Sequence, residues 1–240
     1  ELGLVIVFLR PLGLRLALAE KTPNGVMVQD TAWDGYEEIP SWIMQGYGTM
    51  AMEADEQLHE YGCERPTHVF IQAGVGSLAG AVQGYFANRY PENPPKVIVM
   101  EASVADCLYK GAVAKDGSVR FVDGDMQTIM AGLACGEPNT ISWDILKNHV
   151  TAFLSCPDWV SAKGMRMLAA PFKGDPQVVS GESGAVGMGV IASVMQMDEY
   201  KELREFLALD ENSRVLMFST EGDTDPDRYK EIVWGGKQYE

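Results

Sequence analysis

Two uninterrupted apolar runs constrain this chain more than anything else in it: "HVFIQA" (68–73) and "KVIVMEA" (96–102), with a stretch of helical character between them. A strand with one wet face alternates apolar and polar residues. A strand that is apolar throughout is covered on both faces, as in a parallel sheet with crossover helices on either side. The pattern recurs along the chain, where "VMVQD" (26–30), "TAFLS" (151–155) and "RVLMFS" (214–219) read as further strands. Ile43, Met44, Tyr47, Met50, Ala51, Ala54 and Leu58 recur at spacings of three and four. They predict a helix that starts after Pro40 and is ended by Gly62. Further helices are expected over 76–90, 160–169 and about 183–195. The expectation is a doubly wound, mostly parallel α/β sheet: residues 26–240 form one large domain, and residues 1–25 an aberrant or truncated amino-terminal segment.

Charge narrows the partners. The chain has 34 acidic against 19 basic residues, a formal charge of -15, so it repels nucleic acid and anionic membrane. The four cysteines show no CxxC spacing and are too sparse for a disulfide scaffold, which points to a reducing, cytoplasmic setting and away from a cysteine zinc site. His59, His68 and His149 are too scattered to read as metal ligands. The apolar run from Leu2 is broken by Arg10, Pro11 and Arg15, short of a membrane span, and Glu1 leads where a secretory signal carries positive charge.

In sheets of this kind ligands bind at the carboxyl ends of the strands, here Asp30, Gln72 to Ser77, Glu101 and Ser219 to Asp225. The bend "VFIQAGVGSLAGAV" (69–82) runs from strand through glycines into helix, which leaves backbone N–H groups at the positive end of a helix dipole, a site for phosphate. Between Arg65 and Arg89 there is no Lys or Arg, so the lysine of a nucleotide triphosphate loop is missing. An amide cup suits a phosphate monoester or the pyrophosphate of a dinucleotide; glycines that merely permit close packing are the plain alternative. For the dinucleotide, Glu101 stands where a ribose-binding acid belongs, yet G-V-G-S-L-A-G is one residue longer than GxGxxG. Ser219 and Thr220 suit contact with a pyridine nitrogen. Their alternative is to satisfy the turn itself, with Asp223 or Asp225 capping a following helix.

Taken together, "VQDTAWDGYEEIPSWIMQGYGTM", "QAGVGSLAGAVQGY", "MAGLACGEPN" (130–139), "SGESGAVGMGV" (180–190) and "STEGDTD" resemble the diaminopropionate ammonia-lyases, pyridoxal-phosphate enzymes of fold type II. The resemblance implies α,β-elimination of 2,3-diaminopropionate to pyruvate and ammonia, pyridoxal 5'-phosphate as cofactor, and a homodimer in the complete enzyme. By position it places Gly74, Val75, Gly76 and Ser77, with Gly80 behind them, around the cofactor phosphate. It sets Ser219 and Thr220 at the pyridine nitrogen, and Asp30 as general base toward the D substrate. Glu182 and Ser183 are then substrate-side residues. Cys107 and Cys135 match two family cysteines beside a mobile segment, as a disulfide or as buried thiols.

The family also anchors its cofactor through a lysine ahead of the glycine loop. Here only Lys21 precedes the loop, in an unrelated context, and Lys173 in "PFKGDP" follows it. The expectation is therefore a carboxyl-terminal piece that is inactive alone. An NAD-binding oxidoreductase and a non-catalytic pseudoenzyme are the alternatives.

Overall fold

The computed structural model describes residues 12–239; residues 1–11, part of the segment expected to be aberrant, lie outside the described residues. In chain order the elements are α1 (Leu12–Lys21), α2 (Glu38–Glu60), β1 (His68–Gln72), α3 (Ser77–Arg89), β2 (Lys96–Ala102), α4 (Cys107–Ala114) and α5 (Thr140–His149). They continue with β3 (Ala152–Cys156), α6 (Asp158–Ala169), α7 (Glu182–Gln196), α8 (Lys201–Leu207), β4 (Val215–Met217) and α9 (Pro226–Val233). The four strands form one parallel sheet in the order β3-β2-β1-β4, with Phe70 opposite Ile98 and Met217.

Both faces of this sheet are buried. Val69, Ile71, Val97 and Val99 belong to a core with Ala51 of α2, Phe86 of α3, Leu108 of α4 and Leu146 of α5. Phe70, Ile98 and Met100 belong to the opposite core with Met165 of α6, Val186 of α7 and Ile232 of α9. Successive residues of a strand point to opposite faces, so two covered faces require apolar residues throughout. Among the described residues no helix is long and apolar enough to cross a membrane.

Two expectations are corrected. Residues 26–30 form no strand: Tyr36 Oη donates to the Met27 carbonyl and accepts from Gln29 N–H, while Val26 and Val28 are exposed. Their backbone bonds go to a side chain, so apolar content alone does not seat them in the sheet. Helix α2 begins at Glu38, ahead of Pro40, since a proline in the first turn forfeits an N–H that has no intrahelical partner anyway.

Two contacts fix the helices. In α2, the buried Asp55 accepts from Arg89 Nε (2.9 Å), Tyr90 Oη (2.5 Å) and Tyr85 Oη (3.3 Å), which locks α2 to the end of α3. Burial alone would raise this carboxyl, but the bonds from Tyr90 and Arg89 leave it below its ordinary range. On the other side of the sheet α6 and α7 cross in contact: a β-carbon on Gly164 would overlap the Ala185 carbonyl, and one on Gly189 the Val160 carbonyl.

Candidate functional site

At the carboxyl end of β1 the chain passes through Ala73, Gly74 and Val75 to Gly76, which caps α3 with φ +98°. That backbone conformation excludes most side chains. No side chain caps α3 and no acid stands in its first turn. The start of a thirteen-residue helix thus opens into a cavity with its N–H groups unclaimed by side chains. A β-carbon on Gly74 would lie 3.2 Å from the Gly132 carbonyl, so glycine keeps the wall of the cup thin.

The cavity is about 720 Å³. Asp30 borders it and is fastened through its backbone: its carbonyl accepts from Ser77 Oγ (2.8 Å) and from Asn139 Nδ2 (2.5 Å). Asn139, fully buried, also donates to Ser77 Oγ (2.9 Å), and its Oδ1 accepts from Ser142 N–H to cap α5. One asparagine therefore ties the cup, Asp30 and α5 into a unit. Burial raises the Asp30 carboxyl, against the pull of its own backbone and of Ser77. Burial and the Asp30 charge also raise Tyr47, which lines the same cavity.

Across the cavity stand the end of β4 and the start of α7. Gln72 Nε2 donates to the Phe218 carbonyl (2.9 Å) and to Thr220 Oγ1 (3.0 Å), whereas Ser219 Oγ donates to Ser180 Oγ (2.9 Å). Glu221 Oε1 accepts from Ser183 N–H (2.5 Å) and Gly184 N–H (3.3 Å) and so closes the start of α7. The Ser183 hydroxyl, buried at the cavity wall, has no hydrogen-bond partner among the described residues.

The cavity brings together Asp30, Gly74, Val75, Gly76, Ser77, Ser183, Ser219 and Thr220, all expected from the sequence. Gly80 and Glu182 are not among its lining residues. A β-carbon on Gly80 would lie 2.8 Å from Ser142 Cβ, so this glycine serves the packing of α3 on α5. The Glu182 carboxyl is buried beside the cavity, with Oε1 unpartnered and its pKa raised by burial. Lys173 is exposed after α6, and no Lys, Arg or His lines the cavity among the described residues.

Glu101 serves the next helix and is not among the cavity's lining residues. It is fully buried and accepts from Leu108 N–H (2.9 Å) and Tyr109 N–H (2.7 Å) at the start of α4. Burial pushes its carboxyl up to about 8 against those two bonds. Cys107 Sγ lies 3.6 Å from Glu101 Oε1 and 3.7 Å from the Cys135 carbonyl, two acceptors for its single proton; no disulfide joins Cys107 to Cys135 in this structure.

Asn139 carries no expected role from the sequence, although an Asn before a helix is a cap signal; Glu221 falls within the strand-end range Ser219 to Asp225, without a role of its own. Gln72 lies in the predicted strand end, and its signal was an amide closing an apolar strand.

The cup, with its uncapped helix start, its thin glycine wall and the unpartnered Ser183 hydroxyl opposite, fits a phosphate ester carrying a polar ring. A family model described as "Pyridoxal-phosphate dependent enzyme" matches residues 12–220. A diaminopropionate ammonia-lyase from Salmonella typhimurium is 54% identical over 218 residues, 90% of this chain and 54% of that protein. A crystal structure of diaminopropionate ammonia lyase from Escherichia coli, in complex with an aminoacrylate-PLP azomethine reaction intermediate, superposes with a TM-score of 0.85 at 50% identity. It covers 94% of this chain and 56% of that one. A threonine deaminase isoform from Solanum lycopersicum shares the fold, with a TM-score of 0.68 at 17% identity over 91% of this chain and 55% of that one. The chain spans about half the length of the curated relatives it matches.

Proposed function

This chain belongs to the pyridoxal-phosphate dependent enzyme family, and we propose that it carries the cofactor cup and a substrate-side carboxylate of an enzyme that eliminates ammonia from 2,3-diaminopropionate. The observation that carries this reading is the bond pair from Ser77 and Asn139 to the Asp30 carbonyl, which sets an acid at the rim of a phosphate cup.

The cofactor is pyridoxal 5'-phosphate, held by the amides of Gly74 to Ser77 at its phosphate and by Thr220 at its ring. When bound, its ring supplies the electron sink for the pair left by a broken C–H bond next to a carboxylate. The remaining work is done by side chains. A carboxylate made more basic by burial is suited to receive a proton, so Asp30 takes the α-proton of the D substrate. The walls formed by Tyr47, Gly132 and Ser183 limit the water around that proton. Loss of the α-proton and of the β-amine, then hydrolysis of the enamine product, gives pyruvate and two ammonia molecules, with one water consumed.

No lysine lines the cavity among the described residues, and the chain alone is proposed to bind the cofactor without turnover. Phosphorus NMR of the 240-residue chain tests the cup with pyridoxine 5'-phosphate, which keeps the ring and phosphate but has no aldehyde to react with surface lysines. A shifted bound signal, with no binding of unphosphorylated pyridoxine, is the expected result. An unperturbed signal at millimolar protein removes the cup. Release of pyruvate by the chain with pyridoxal phosphate and D-2,3-diaminopropionate removes the proposed inactivity and leaves the cup standing.

A further inference from the structure

Among the described residues no cation stands in the walls of the cavity. Its ionisable lining residues are Asp30, Tyr47, Cys135 and Glu221. The cup meets a phosphate with backbone N–H groups alone, which carry the partial charge of one helix end. The Ser183 hydroxyl, only 5% exposed and without a partner among the described residues, offers a bond but no charge. A dianionic phosphate ester seated here shares the cavity with two carboxylates, and like charges repel strongly where water screens them poorly.

The two carboxylates are not equally free. Glu221 Oε1 is claimed by the N–H groups of Ser183 and Gly184 at the start of α7. Asp30 is fastened by its backbone, since Ser77 Oγ and Asn139 Nδ2 donate to its carbonyl, and its carboxylate has no cationic partner among the described residues. The same contact fixes where that carboxylate stands. Ser77 is the first residue of α3 and part of the cup, so Asp30 lies beside the phosphate position rather than across from it. Burial makes its carboxylate more basic than an ordinary aspartate and so a better partner for a cation.

We propose that the site takes its phosphate ester as a zwitterion: the ligand brings its own cation, an ammonium on the arm next to the phosphate arm, and Asp30 receives it. On a six-membered ring the carbon adjacent to the one that bears the phosphate arm carries the substituent nearest the cup. Pyridoxamine 5'-phosphate has an ammonium on that substituent, and pyridoxine 5'-phosphate has a hydroxyl of nearly the same size. The amine form is therefore the preferred ligand of this chain. This deepens the proposed cofactor site and rests on it.

Titration calorimetry of the full chain with the two esters, with phosphorus NMR on the same samples, is the test. Pyridoxamine 5'-phosphate should bind about tenfold more tightly than pyridoxine 5'-phosphate, the gain of a charge-assisted over a neutral hydrogen bond. Asp30→Asn keeps the backbone carbonyl that Ser77 and Asn139 hold and removes the charge, so the two affinities should come within about twofold of each other. Glu221→Gln keeps an Oε1 acceptor for the start of α7 and should leave the preference in place. Equal affinities in the unsubstituted chain would overturn the proposal with no variant needed, so it stays open to refutation even where Asp30→Asn fails to fold by circular dichroism. A preference that survives in folded Asp30→Asn would also overturn it, because the overall charge of -15 and not Asp30 would then attract the ammonium. So would a preference lost in folded Glu221→Gln. In each of these outcomes the bound phosphorus signal keeps the cup. An unperturbed signal with both esters removes the cup, and the preference with it.

Discussion

Helices α3 and α4 start from adjacent strands of one sheet, and their first turns meet the same electrostatic demand in opposite ways. Each presents backbone N–H groups at the positive end of its dipole. At α4 the chain answers from within: Glu101, fully buried at the end of β2, accepts from Leu108 and Tyr109. At α3 the chain withholds an answer. Gly76 stands at the cap, no acid follows in the first turn, and the Ser77 hydroxyl is spent on the Asp30 carbonyl. A third start, that of α7, sides with α4, since Glu221 accepts from Ser183 and Gly184. The proposed binding site is thus a helix start left open beside two that are filled.

Filling the open start is the strongest way to break that contrast. Ser77→Asp sets a carboxylate in the first turn of α3. One like charge about 5 Å from a bound phosphate, at an effective dielectric constant near 20, costs about 3 kcal/mol, so affinity for pyridoxine 5'-phosphate should fall roughly 100-fold by calorimetric titration. Unchanged affinity would mean that the phosphate sits elsewhere.

Disturbing the filled start should act on stability and spare binding. In Glu101→Gln one of the two N–H donors faces an NH2 group, and urea denaturation should register a loss of about 2 kcal/mol with affinity for the phosphate ester held within about twofold. The pH dependence sharpens the point. Burial raises the Glu101 carboxyl from 4.5 to about 8, so the folded state holds its proton more tightly than the unfolded chain does. The stability this contributes is complete below about pH 4.5 and is lost as pH rises through about 8. The unsubstituted chain should therefore become easier to unfold across that window, and Glu101→Gln should flatten the slope. An identical slope in both proteins removes Glu101 as its source.

The smallest effect belongs to an exposed cap remote from the sheet. Asp225 Oδ1 accepts from Arg228 N–H at the start of α9, and Asp225→Ala should cost about 1 kcal/mol in thermal or urea unfolding, with no change in ligand affinity. A change in affinity would show that α9 is coupled to the cup.

How far the sequence reveals these differences depends on range. Strands β1 and β2 are legible because burial on both faces leaves its mark within each run. Helix α2 is legible because one face repeats over twenty-three residues. The short helices α4, α8 and α9, with seven or eight residues each, lack the length to build such a repeat. Residues 26–30 mislead because Val26, Met27 and Val28 are apolar, whereas their backbone partner is the distant Tyr36 hydroxyl. In the site, the glycines at 74 and 76 are a local signal, and both line the cavity. Asn139 is tied to Asp30 across 109 residues of chain, a contact that only the folded sheet creates. Glu101 shows the limit most sharply: an acid at a strand end serves a ligand or the next helix according to which way it turns, and tertiary packing decides that.

The crossing of α6 and α7 has a consequence for anyone who would redesign this molecule. Gly164 and Gly189 let two backbones touch, and the near end of α7 is where Ser183 forms a cavity wall. Interhelix spacing is thus a ruler whose zero mark is the absence of a side chain, and its reading is delivered within about two turns of α7. A saturation library at either position, sorted for ligand retention, should return a single amino acid, although neither position lines the cavity.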